Sequence, residues 1–221
     1  MLQHTLPVAA QKLTSLTHNH TIKAGIDLMV LRHMARQLRL HLLTMESVDK
    51  LQQPVIYELA ERHNSIHRIV FYRPEALFTN ETLSFVGFVS GRQATLDDAI
   101  DAELGQADKN MLVELMNIPG LLTYSSMELR PKHWYNLVML HDLETKSDLK
   151  QIQLHQHAAY KLAPRAYDWI RIHSGIFPGG LAQNVPQIVR TKHYSFATEQ
   201  YNFQMHEVVH PQPITQGAPH S

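Results

Sequence analysis

The chain has 221 residues, 44% of them apolar and 18% charged, which is the make-up of a folded protein with one core of moderate size. Twenty Lys and Arg balance twenty Asp and Glu, so no net charge draws the chain onto nucleic acid or an anionic membrane. Cysteine is absent, which removes disulfides, thiolate nucleophiles, iron–sulfur clusters and cysteine-bound zinc.

Sixteen histidines are the unusual count, but they are scattered. The patterns H-E-x-x-H, G-x-S-x-G, G-x-G-x-x-G and the P-loop do not occur. The N-terminal MLQHTLPVAAQKLTS lacks the basic start and apolar run of a secretory signal. No window reaches the roughly 18 apolar residues needed to span a bilayer. A soluble, cytoplasmic protein with no nucleic-acid or membrane partner is expected.

Residues 1–20 are polar without a clear period and read as a loosely held arm. From Thr21 to about Met45 the spacing predicts a helix, with Ile26, Val30, Met34, Leu38 and Leu42 four apart and Ile22 and Met29 on the same side. Pro54 then opens a shorter helix over VIYELAERH. Residues 66–74 (IHRIVFYRP) are β-rich, and LSFVGFVSGRQ reads as a buried strand whose Gly87 and Gly91 signal close backbone approach or a bulge.

Thr95 and Asp98 resemble a capping box opening a helix that Asn117, Pro119 and Gly120 stop. GLLTYSSMEL and HWYNLVMLHD, parted by the turn RPK, form an antiparallel hairpin. The next helix opens at Ser147-Asp148 and closes at Pro164, with Ile152, His155, Ala159 and Leu162 on its inward stripe and His157 on a wet face. AYDWIRIHSGIF is the return strand: Tyr167, Trp169, Arg171 and His173 share one side, Ile170 and Ile172 the other. IVRTKHYSFATEQYNF adds an edge strand, and a mobile tail starts at His210.

Strand, helix, strand, strand, helix, strand from Leu83 to Phe177 is an α+β, split βαββαβ order: an antiparallel sheet with two helices on one face. Residues 1–80 then form an arm and helical extension packed on the core, 81–205 the α+β domain, and 206–221 a flexible tail. A sheet covered on one side needs cover on the other, and a second copy is the usual answer.

GLLTYSSMEL, HWYNLVMLHD, HQHAAYKLAP and YDWIRIHSG together resemble the ferredoxin-like dimeric α+β barrel superfamily. That superfamily includes antibiotic-biosynthesis-type and haem-degrading monooxygenases and ethyl-ether-degradation-type proteins. The resemblance covers about 95 residues and implies a homodimer of facing sheets with a pocket between sheet and helices. Haem-degrading members carry an iron-ligating histidine on the second helix, which by position is His155 here.

Each marked residue has a plain reading beside the functional one. His155 is a hydrogen-bonded core histidine, an axial haem or metal ligand, or an acid/base group. Trp169, Arg171 and His173 line a ligand pocket, form the polar part of a dimer interface, or make a satisfied sheet–helix contact. In the pocket reading Arg171 fixes a carboxylate or carbonyl, His173 exchanges protons, and Trp169, Tyr124, Trp134 and Asn136 hold the ligand. Three functions follow: a monooxygenase-like oxidoreductase acting on a small aromatic or polyketide-like ligand, with haem or without a cofactor; a non-catalytic binder of haem or a small apolar molecule; or a structural dimer with no ligand.

Overall fold

The computed structural model describes residues 8–45, 54–61, 65–196 and 203–211, with side chains from position 22 onward. Among these residues eight antiparallel strands form one open sheet in the order β1-β2-β4-β5-β3-β6-β7-β8. They are β1 (Val55–Ala60), β2 (Ile66–Phe71), β3 (Leu83–Arg92), β4 (Leu121–Arg130), β5 (His133–Leu140), β6 (Tyr167–Phe177), β7 (Gln187–Phe196) and β8 (Phe203–Val209). Helix α2 (Asp98–Glu114) joins β3 to β4. The broken run α3 (Thr145–Gln151), α4 (Gln153–His157) and α5 (Ala163–Ala166) joins β5 to β6, and a short α6 (Gly180–Gln183) follows.

The sheet is covered on both faces. Helix α1 (Val8–Thr44) packs Ala24, Leu31, Met34, Leu38 and Leu42 against Phe85, Val89, Leu137 and Met139. On the opposite face α2, α3 and the segments after it bury Ile100, Leu104, Leu115, Leu149 and Leu162. The sheet face for which a twin was expected therefore carries the chain's own first helix.

The stripe of α1 differs from the expected one for a geometric reason. Four residues advance a helix by about 400°, so each step of a four-residue row drifts about 40° around the axis. Ile26 is exposed, Val30 half-buried, and Met34, Leu38 and Leu42 buried. The row starts outside and winds under. Ile22, Ile26, Met29, Leu40 and Leu43 form an outer apolar line flanked by exposed Lys23, Arg32 and Arg36.

Several other expectations are corrected. Residues 8–20 belong to α1 rather than to a loose arm, while residues 1–7 lie outside the described ones. VIYELA is strand β1, whose alternating burial and pairing with β2 suit its β-branched and aromatic residues better than a helix of two turns. The cap of α2 is Asp97, whose carboxylate accepts from the Ala99 N–H. The helix expected to end at Pro164 breaks at Ile152, which is extended, and relaxes into a π turn over Ala158–Leu162; Pro164 sits in the first turn of α5. The break changes the inward stripe, leaving Ala159 exposed and Leu162 buried. The C-terminal region supplies two strands rather than one, and His210 is tied back by its N–H to the Val189 carbonyl; 212–221 lie outside the described residues.

Both glycine signals in β3 are met. A Cβ on Gly87 would stand 2.6 Å from Leu31 Cδ1, so the bare backbone lets α1 lie close to the sheet. The Trp169 indole occupies the equivalent space over Gly91, where the register with β6 shifts. Gly87→Ala is expected to lower stability by about 1–3 kcal/mol, because the fully buried Leu31 must shift within the core to clear the new Cβ. A lower urea midpoint with an unchanged slope checks it.

Candidate functional site

Asp27 is the one acid in residues 22–44, and it lies on the buried side of α1, spaced i, i+4, i+7 and i+11 with Leu31, Met34 and Leu38. It is 1% exposed. Four donors converge on its carboxylate. Arg171 Nε donates to Oδ2 at 2.6 Å and Nη2 to Oδ1 at 2.9 Å. His173 Nε2 donates to Oδ2 at 2.9 Å, and the Tyr135 hydroxyl to Oδ1 at 3.2 Å. The guanidinium lies 4.1 Å from the centre of the Trp169 ring.

The chain of bonds continues outward. On the other side of the ring, His173 Nδ1 shares a hydrogen bond with the Thr191 hydroxyl at 2.9 Å. Thr191 Oγ1 in turn lies 2.9 Å from His210 Nε2. Burial alone would push the Asp27 carboxyl up; the bonds from His173 and Arg171, with the Arg171 charge, outweigh it and hold the group below the usual carboxylate range. Burial first, then the Asp27 charge, raises the Tyr135 phenol.

Carboxylate, imidazole and hydroxyl in sequence have the connectivity of a nucleophilic triad. Here His173 is 0% and Thr191 4% exposed, and the hydroxyl stands between two imidazoles. A substrate carbonyl has no approach to that oxygen. The arrangement fastens α1 to β6 instead, with each carboxylate oxygen meeting two donors, the condition under which a buried pair is tolerated.

The sequence-marked residues divide between the two faces of the sheet. Trp169, Arg171 and His173 share one side of β6, and that side faces α1. Tyr167 does not, because the register shift at Gly91/Arg92 turns it to the α2 side, where it meets Phe88. Tyr124, Trp134 and Asn136 also point to the α2 side and never meet Arg171. Tyr124 donates to Asp108 at 3.3 Å beside Arg68, which pairs with Asp108 at 2.7 Å. Trp134 lies under Arg92, which pairs with Asp101 at 2.7 Å. Two arginine–aromatic pairs thus grip acids seven residues apart on one face of α2.

His155 is half-buried on α4, its ring pushed down by burial and by the Lys150 charge, while His157 is exposed and pairs with Glu103. Another histidine group joins α1 to the sheet edge: His33 Nε2 lies 3.0 Å from Glu61, and buried His67 reaches Ser125 at 2.6 Å. Among the described residues no group of three or more His, Asp or Glu has the arrangement of a metal site. A cleft of about 540 Å³ lies between Glu114, Ile118, Asp148 and Ile152, and one of about 280 Å³ between Arg92, Thr95, Asp101 and Lys132. Arg171, His173 and His155 line neither.

Sequence reasoning missed Asp27, Thr191 and His210. For Asp27 a signal was present, an acid on the apolar stripe of a helix.

Fold and site together define an α+β protein with one eight-stranded antiparallel sheet between its own helices. The chain matches no known family model, curated protein or solved structure.

Asp27→Ala or Arg171→Ala is expected to cost about 3–5 kcal/mol, since each leaves a buried charge without its partner. Asp27→Leu combined with Arg171→Met should recover much of that loss in urea unfolding. Because the folded Asp27 carboxyl titrates below its unfolded value of about 3.9, its contribution is full above that pH and is lost as pH falls through the folded value. Acid unfolding of Asp27→Asn should lack this component.

Proposed function

We propose that the protein is a non-catalytic binding and assembly module. In this reading its central strands form a ferredoxin-like unit of the dimeric α+β barrel kind, and α1 takes the place where that superfamily seats a second sheet. Support for the unit comes from the local order β6-β3-β5-β4, with α2 crossing from β3 to β4 and the α3–α5 run crossing from β5 to β6. Homodimerisation through the sheet face would require α1 to leave it.

One observation carries the reading. An oxidoreductase working through Arg171 and His173 needs both side chains turned to a substrate, and both are turned to Asp27. Of the three alternatives for this face, the satisfied sheet–helix contact fits the geometry.

The test replaces the contact as a unit. Asp27→Leu with Arg171→Met should keep the circular dichroism and solution mass of the wild type. Neither protein should consume oxygen with small aromatic substrates or show a Soret band with added haem. Oxygen uptake in the wild type that the double variant lacks would overturn the reading, as would a haem spectrum that His155→Ala abolishes.

A further inference from the structure

On the α2 side of the sheet, away from the Asp27 network, cations gather around a serine. Lys146 of α3 is half-buried and donates from Nζ to Ser174 Oγ at 2.5 Å. Ser174 on β6 pairs across the sheet with Arg190 on β7, so their side chains share a face. Lys192, two residues further, shares it too. Lys150 follows Lys146 by one helical turn.

Among the described residues a single carboxylate serves the group. Glu207 on β8 lies 3.1 Å from Arg190 Nε and 3.5 Å from Lys192 Nζ, and none of the described carboxylates pairs with Lys146 or Lys150. Of the described carboxylates only Glu207 is paired with these four cations, on a chain whose net charge is zero. Burial first, then the charges of Lys150, Lys192 and Arg190, push the Lys146 amine down to about 8, with Glu207 pulling the other way. Like charges held together against burial are a standing cost that an anion would relieve.

We infer that Lys146, Lys150, Arg190 and Lys192, with the Ser174 hydroxyl, bind a phosphate group. Two or three oxygens of a dianion match the mobile ammonium donors and the Arg190 fork, and the hydroxyl supplies a neutral donor among them. Lys146 gives up its bond to Ser174 and turns to the incoming oxygen. The inference rests on the reading of the protein as a binding module and supplies its ligand class.

Inorganic phosphate and phenyl phosphate are the probes, titrated into the full chain by calorimetry at pH 7 and constant ionic strength, with chloride as the reference anion. Saturable binding is expected, weakened at least tenfold by Lys146→Met and by Arg190→Met, and unchanged by Lys109→Met on the exposed side of α2. Both site variants remove a crowded cation and should stay folded, which melting curves check. Phosphate should also carry the Lys146 amine back toward the ordinary lysine value of about 10.4, read by nitrogen-15 NMR of labelled lysine. Binding no stronger than that of chloride, or equal binding by Lys146→Met, overturns the site. Either result leaves the Asp27–Arg171 experiments to decide the binding-module reading separately.

Discussion

One buried carboxylate organises the protein. Asp27 takes bonds from Arg171, His173 and Tyr135, so a single side chain of α1 is tied to β6 and to β5. Removing that acid from water is costly, and the cost is offset because the carboxylate's oxygens meet a bidentate guanidinium and two further donors. Hydrophobic packing would hold α1 on the sheet in many positions along and around its axis. Matching four donors to two oxygens leaves few, and Gly87 allows the close approach at which they meet.

That contact also decides how the opposite face is used. With α1 on one side, the other side is free to hold α2 through two arginine–aromatic grips, Arg92 on Trp134 and Arg68 on Tyr124. Three aromatic rings thus sit beside arginines, but only Trp169 belongs to the buried network. The others are partly exposed fittings between helix and sheet, and exposed pairs of this kind contribute little singly. The cation group around Ser174 lies beyond both, on α3, β6 and β7.

Much of this was written plainly in the chain. The β4–β5 hairpin, the buried β3 and the two-sided β6 follow from alternation and turn residues, and the polar side of β6 does face a partner of its own chemistry. What alternation does not carry is register. The shift at Gly91 reverses Tyr167 alone, and the pairing of β4 with β5 sends Tyr124, Trp134 and Asn136 to the far face. Nor does a four-residue row declare how far it winds, so Ile26 and Met34 look alike in sequence and differ in burial. Asp27 needs Arg171 to make sense of it, and 144 residues separate them. The break at Ile152 and the π turn after it have no marker comparable to a proline or glycine.

The separation of those two residues has a consequence for biosynthesis. Helix α1 leaves the ribosome long before β6, whose cation and imidazole it must meet, and before β5, which brings Tyr135. Until then its acid is unneutralised. Chain growth at roughly 5–20 residues per second makes that interval on the order of ten seconds. Closure of the longest loops comes last, so a segment made well before β6 is among the last to settle.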